Sequence, residues 1–216
     1  MAARQLQQQS SHLCKLMESR ERERAQWVRE LQHEMAQTLT GLLCHLTVIQ
    51  RSGDDAVVAR AAQAGQLVDE LGHWLRDLAI RVRPPMLDDL GLGPTLTWYA
   101  NHLEQRTGRR VELRLANLDE RLPYLCETAG FRAVSALLPE LLCSEDIQRV
   151  QLHVAVQADA LRLSVGWDGD TPPAAAAAIE AVREWVTWME GTVQLHRVAD
   201  AVDLAVTIPM APVRGG

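Results

Sequence analysis

Apolar side chains recur at Val28, Leu31, Met35, Leu39, Leu42, Leu46 and Ile49, in steps of three and four. That spacing is the stripe of an amphipathic helix, sustained long enough for a bundle or coiled coil. No proline interrupts it and no glycine precedes Gly41, so residues 3–52 read as one helix or two nearly continuous ones. At 100° per residue, Gln32 falls roughly 60° from the stripe's centre and His33 roughly 160° from it, on the wet face. Ser52-Gly-Asp-Asp55 reads as a turn with a helix N-cap in Asp54 or Asp55. A second helix to about Arg83 places Val57, Val58, Ala61, Ala64, Leu67, Val68, Leu71, Trp74, Leu75 and Leu78 on its inner side. Two antiparallel helices cannot bury both stripes alone, so pairing with a second copy into a four-helix bundle is expected.

The proline pair after Arg83 ends this helix, because a residue before proline is pushed out of the helical region. The pattern then changes. Val111 to Leu115 alternates as a strand, and a helix opens near Glu127. Val150 to Val156 and Leu161 to Val165 form a candidate hairpin around Gln157-Ala-Asp159. An alanine-rich helix to Glu190 and strands at Thr192 to Leu195 and Val202 to Pro209 complete the chain.

Composition narrows the function classes. With 216 residues there is room for one large or two small domains. A net charge of −6 argues against nucleic acid as the main partner. No apolar run reaches membrane-spanning length and the first residues lack a signal-peptide core, so membrane insertion is not expected and the cytoplasm is. Cys14, Cys44, Cys126 and Cys143 show no CxxC spacing, and Cys44 reads as a small core residue. His33-Glu-Met-Ala-Gln37 misses the zinc motif H-E-x-x-H by its second ligand, so no metal is expected. The mixed charges from Glu18 to Arg24 read as a solvated helix face. Trp185 and Trp188 read as core or interface residues, and Asp168 and Asp170 as turn residues.

Two stretches carry a resemblance. Arg29-Glu-Leu-Gln-His-Glu-Met-Ala-Gln-Thr-Leu39 resembles the dimerisation helix of sensor histidine kinases of the nitrate-sensor and desaturase-sensor subfamily, which read Arg-Glu-Leu-His-Asp-Glu-Leu-Gly-Gln there. Arg83-Pro-Pro-Met-Leu-Asp-Asp-Leu-Gly-Leu92 resembles the junction of the same subfamily, Arg-Pro-Pro-x-Leu-Asp-x-Leu-Gly-Leu, between bundle and ATPase domain. The resemblance covers nearly all of the chain from about residue 20 and is most specific over residues 81–108. It implies an α+β protein: a helical dimerisation domain at residues 1–83 and an α/β sandwich like the kinase ATPase domain at residues 84–216.

The same register puts Gln32 in the phosphoacceptor slot and His33 in the slot of the following Asp. An amide has no basic lone pair with which to attack a γ-phosphate. Glu140 stands in the slot of the magnesium-binding Asn, with Pro139 before it. Trp167 stands in the slot of the Asp that takes the adenine amino group, followed by Asp168 and Gly169, and an indole cannot accept that proton. Ala174 to Ala178 lacks the glycines that bring backbone N–H groups against phosphates. The expectation is a kinase-like homodimer that binds a response regulator receiver domain or a partner histidine kinase, through Gln32, His33, Met35 and Ala36, with no cofactor and no ATP-dependent autophosphorylation. The alternatives are a phosphotransferase using His33 and an active sensor kinase.

Overall fold

The computed structural model describes residues 2–51, 54–198 and 201–210, with side chains from Lys15 onward apart from those of Val198 and the gaps. Ser52 and Gly53 of the expected turn, and the side chain of Cys14, lie outside the described residues. The chain forms two compact units, residues 19–82 in one and residues 83–216 with the first eighteen in the other. Among the described residues no helix is long and apolar enough to cross a membrane.

Helix α1 (Ala2–Gln50) is a single element of 49 residues. Helix α2 (Asp55–Val82) returns after a short turn. Asp54 is its N-cap, accepting the backbone N–H groups of Ala56 at 2.9 Å and Val57 at 3.3 Å. The apolar positions of the hairpin divide into two lines. On α1, Val28, Gln32, Met35, Leu39, Leu43 and Leu46 are half-buried. On α2, Val58, Ala61, Ala64, Val68, Gly72, Leu75 and Ala79 are half-buried or buried. Leu31, Leu42 and Ile49 on α1 and Leu67, Leu71, Trp74 and Leu78 on α2 stay exposed in the single chain. The inner side expected of α2 is therefore half an intramolecular face and half an open one. Cys44, expected in the core, is exposed, because it lies off the line that meets α2.

The second unit begins at Arg83. Pro84 caps the short helix α3 (Pro85–Leu90) and Pro85 takes its first position, where a missing N–H costs nothing. Gly91 then turns the chain at φ +82° into α4 (Leu92–Thr107), and a Cβ there would sit 3.1 Å from Arg121 Cδ. Strand β1 (Val111–Ala116) leads to α5 (Tyr124–Leu142), which crosses over to β2 (Val150–Gln157). Ala158 and Asp159, both at positive φ, turn β2 into β3 (Ala160–Asp168). Helix α6 (Pro173–Trp188), β4 (Thr192–Val198) and β5 (Ala201–Pro209) follow.

The sheet order is β1-β2-β3-β5-β4, with β1 and β2 parallel and the remaining pairs antiparallel. One face is apolar: Leu152, Val154, Leu161, Leu163, Val165 and Leu204 are buried. Phe131, Leu137, Leu138 and Leu141 on α5 and Ala175, Ile179 and Val186 on α6 supply the buried helical layer. Gly130 lets α5 approach closely, since a Cβ there would lie 2.7 Å from Leu161 Cδ2 and 3.1 Å from Leu92 Cδ2.

A buried ionic cluster ties the junction to α5. Glu127, 1% exposed, is held in a bidentate pair by Arg121 at 2.9 and 2.8 Å. Arg83, 3% exposed, donates to Asp88 at 2.9 Å and to the Thr128 hydroxyl, lies 4.0 Å from Glu127, and stacks 3.9 Å over the Tyr124 ring. Arg121 also donates to the carbonyls of Leu87 and Asp88, so α3 is anchored by side chains distant in sequence.

The tightest backbone approach of this unit is at Gly191, where a Cβ would meet the Thr207 carbonyl oxygen at 2.4 Å and Val186 Cγ1 at 2.6 Å. Backbone cannot yield as a flexible side chain does, so Gly191→Ala is expected to cost about 3 kcal/mol, the upper end of overpacking losses. Gly108→Asn, at a left-handed helix cap with nothing within 4 Å, should cost less than about 1 kcal/mol. Chemical-denaturant unfolding of the two variants beside the parent checks both values.

Candidate functional site

Two places were singled out by sequence, the helical stretch around Gln32 and the slots Glu140, Trp167 and Gly169. The first lies on the α1–α2 hairpin. A groove of about 450 Å³ runs between the helices, lined by Gln32, His33 and Ala36 from α1 and by Asp69, Gly72 and Arg76 from α2, among others. Met35, expected in the same surface, is half-buried and is not among the lining residues. Gln32 is half-buried and His33 exposed, in keeping with the helical arithmetic. Yet His33 shares the groove with Gln32 instead of facing wholly away from it, because the groove is wide enough to span both positions. The His33 Nε2 lies 2.9 Å from the Gln37 side-chain nitrogen, one helical turn on.

The sequence also places the facing part of the second helix in this surface, but it does not mark which of its residues take part. Asp69, Gly72 and Arg76 sit some forty residues from Gln32, and only the antiparallel return brings them opposite it. The one local signal was a glycine inside an otherwise regular helix, where it costs about 1 kcal/mol relative to alanine. A Cβ at Gly72 would lie 3.6 Å from Leu39 Cδ1 and 3.9 Å from an Arg76 Nη atom, so the two helices and the arginine converge at that spot. The groove is polar at its mouth: Arg29 and Arg76 bring two guanidinium groups, against the one carboxylate of Asp69.

The second place is the sheet domain. Trp167, 2% exposed, lies near the end of β3 with Val150 and Val202 as its cross-strand neighbours, both buried. It alternates in step with Leu161, Leu163 and Val165, so its indole extends the apolar layer under the helices. Among the described residues its Nε1–H has no hydrogen-bond partner. Glu140 is half-buried in the last turn of α5. Pro139 beside it stays inside the helix; its missing N–H would leave the Ser135 carbonyl unpaired, and the Tyr99 hydroxyl donates there at 3.4 Å.

Ala174 to Ala178 form the first turns of α6, and Ala176 N–H already bonds the Pro172 carbonyl at 2.9 Å. Only Gly169 to Pro172 separate β3 from α6. Gly169, at φ +80°, starts that connection. Asp168 accepts the backbone N–H groups of Gln148 at 2.8 Å and Arg149 at 2.9 Å. Burial alone would raise its carboxyl, but the backbone hydrogen bonds outweigh that and hold it below its ordinary value. Asp170 pairs with Arg197 at 2.6 Å. Asp168, expected in a turn, is thus the last residue of β3 and fastens the chain before β2, while Asp170 lies in the connection to α6. Trp188 is exposed, while Trp185 is half-buried with the Arg132 guanidinium 4.5 Å over its ring. Among the described residues no group of three or more His, Cys, Asp or Glu is placed to hold a metal ion.

No protein-family model matches the chain. The signal transduction histidine-protein kinase/phosphatase DegS of Brevibacillus brevis is 23% identical over 207 residues, an alignment that takes in 90% of this chain and 53% of DegS. The oxygen sensor histidine kinase NreB of Staphylococcus carnosus (strain TM300) is 25% identical over 194 residues, 87% of this chain and 56% of NreB. The chain spans about half the length of the curated relatives it matches. Among solved structures, the Erythrobacter litoralis EL346 blue-light activated histidine kinase aligns with a TM-score of 0.49 at 19% identity, over 85% of this chain and 60% of that one. A helical hairpin with the subfamily's acceptor-helix pattern, the anchored Arg-Pro-Pro junction and a mixed sheet under helices meet here in one chain whose relatives are sensor kinases: it has a histidine-kinase-like core of that subfamily.

Proposed function

We propose that this chain regulates two-component signalling by docking a receiver domain, or a partner histidine kinase, as a homodimer, without ATP-dependent autophosphorylation. One observation carries the reading: the groove at Gln32 is formed and open, while Trp167 lies in the apolar layer of the sheet. An indole in that place offers a nucleotide base no acceptor, and its N–H has already lost solvent. The helical start of α6 supports the same conclusion, because amides engaged in a helix are not free to wrap a triphosphate. The side chain at position 32 is an amide, so an acceptor is missing as well as a donor site. Titration calorimetry with magnesium and a non-hydrolysable ATP analogue is expected to give no saturable heat. Micromolar binding would defeat this part of the proposal.

Dimerisation follows from the open half of the hairpin. Leu31, Leu42, Leu67, Leu71, Trp74 and Leu78 form an apolar surface that a soluble monomer does not leave in water. Light scattering on the full chain should give twice the monomer mass at micromolar concentration. Leu42→Asp, which sets a charge in the paired face, should return it to the monomer mass. A parent chain that scatters as a monomer would count against the dimer.

A second reading, phosphoryl transfer through His33, is favoured by the place of that imidazole on the same groove as Gln32. The name of the Brevibacillus brevis relative also includes a phosphatase, an activity for which neither an acceptor nor ATP is needed. One assay separates the three: receiver domains from the same genome, charged with labelled phosphate, are mixed with the chain. Docking alone leaves the label on the receiver, transfer moves it to His33, and a phosphatase releases it as inorganic phosphate. Under the docking reading His33→Ala changes receiver binding by less than about twofold, as an exposed substitution should. Ala36→Arg weakens it roughly tenfold or more, through bulk and charge in a packed contact. Label lost from the receiver onto the parent chain but not onto His33→Ala would replace docking by transfer.

A further inference from the structure

The α2 side of the groove holds a feature that a simple docking surface does not require. Arg76 makes no hydrogen bond or ion pair among the described residues, although other arginines of the chain are anchored by carboxylates or carbonyls. One of its Nη atoms lies 3.9 Å from where a Gly72 Cβ would stand, so the guanidinium is laid back along α2 over a floor without a side chain. Arg29 lines the same groove from α1, and the half-buried Gln32 amide, also in its lining, can donate two N–H bonds. The groove has one opposing carboxylate, Asp69. One planar cation without a partner among the described residues and an uncharged amide donor, beside an open space of about 450 Å³, match a tetrahedral dianion on a protein surface.

We infer that the groove discriminates the phosphorylation state of the receiver it docks, binding the aspartyl-phosphate form in preference to the free carboxylate through Arg76. The inference rests on the docking reading above and adds the state of the partner. In a phosphotransferring protein the position at 32 is a nucleophile that the phosphoryl group must reach. An amide there cannot be modified, so it offers a phosphoryl group a hydrogen bond and no reaction. A chain of this kind holds phosphorylated receiver away from its target, and releases it when the phosphate is lost. No bond is made or broken in the step.

The test measures binding of the full chain to receiver domains from the same genome, each with and without beryllium fluoride, which occupies the aspartyl site as a phosphoryl mimic. The charged form should bind roughly five- to tenfold tighter, the weight of one or two half-exposed charge contacts. The preference should shrink as ionic strength rises, since exposed charges are screened. Arg76→Gln should bring the ratio close to one and Arg76→Lys should restore part of it. Arg60→Gln, on the exposed surface of the same helix and outside the groove, should leave the ratio unchanged. Equal affinity for the two forms, or a ratio that survives Arg76→Gln, overturns the inference while leaving docking intact. Absence of binding to any receiver in either state overturns docking and the inference together. Acetyl phosphate alone binding as tightly as the charged receiver would make the groove a small-anion site and likewise end the proposal.

Discussion

A carboxylate that is 1% exposed must be paired, and the second unit is arranged around meeting that demand at Glu127. Arg121 supplies the bidentate pair, and Arg83 closes the cluster through Asp88 and Thr128. Only the carboxylate of this pair is buried, since the Arg121 side chain is half exposed, and leaving that carboxylate without its partner would remove a large share of the stability of a domain. The cluster explains why the Arg-Pro-Pro junction is the most specific stretch of the sequence. Arg83 is a buried partner, the prolines set the exit from one helix and the start of the next, Leu87 is wholly buried, and Gly91 must turn at positive φ beneath Arg121. Each position answers a separate physical requirement, so substitutions there are constrained jointly.

The sheet domain shows how architecture and chemistry separate. The apolar layer needs apolar side chains at alternate positions of β3, and an indole at the last of them meets that need where a carboxylate would have to be paired. Trp167 continues the alternation of Leu161, Leu163 and Val165, at the cost of an unpaired N–H. The same logic holds at Pro139, where a helix tolerates a missing hydrogen bond because Tyr99 reaches the orphaned carbonyl. Ala174 to Ala178 do in α6 what alanines do best, which is to form helix. These residues build the fold through apolar packing and helix propensity.

The helical hairpin works under a different constraint. Each helix has more apolar surface than one neighbour can cover, and the groove opens where small residues, Ala36 and Gly72, face each other's helix. That is where Gln32, His33 and Arg76 meet, so the polar groove and the open apolar face are two consequences of one packing pattern.

The sequence by itself determined the elements and their type. Period-3.6 spacing settled the long helices, the Asp54-Asp55 pair an N-cap at one of its two positions, and alternation the strands, because each depends on neighbours within a few residues. It also located Gln32, Trp167 and Glu140 through motifs whose spacing is local. What only the tertiary structure decided is which apolar positions face inward. Leu67, Leu71 and Trp74 belong to the same stripe as Val68 and Leu75, and the periodicity has no information on where a 100°-wide stripe divides between two neighbours. The order β1-β2-β3-β5-β4 is likewise a matter of non-local pairing. Arg76 and Gly72 reach Gln32 only through the lateral register of two helices, and that register is set by packing across some forty residues of chain.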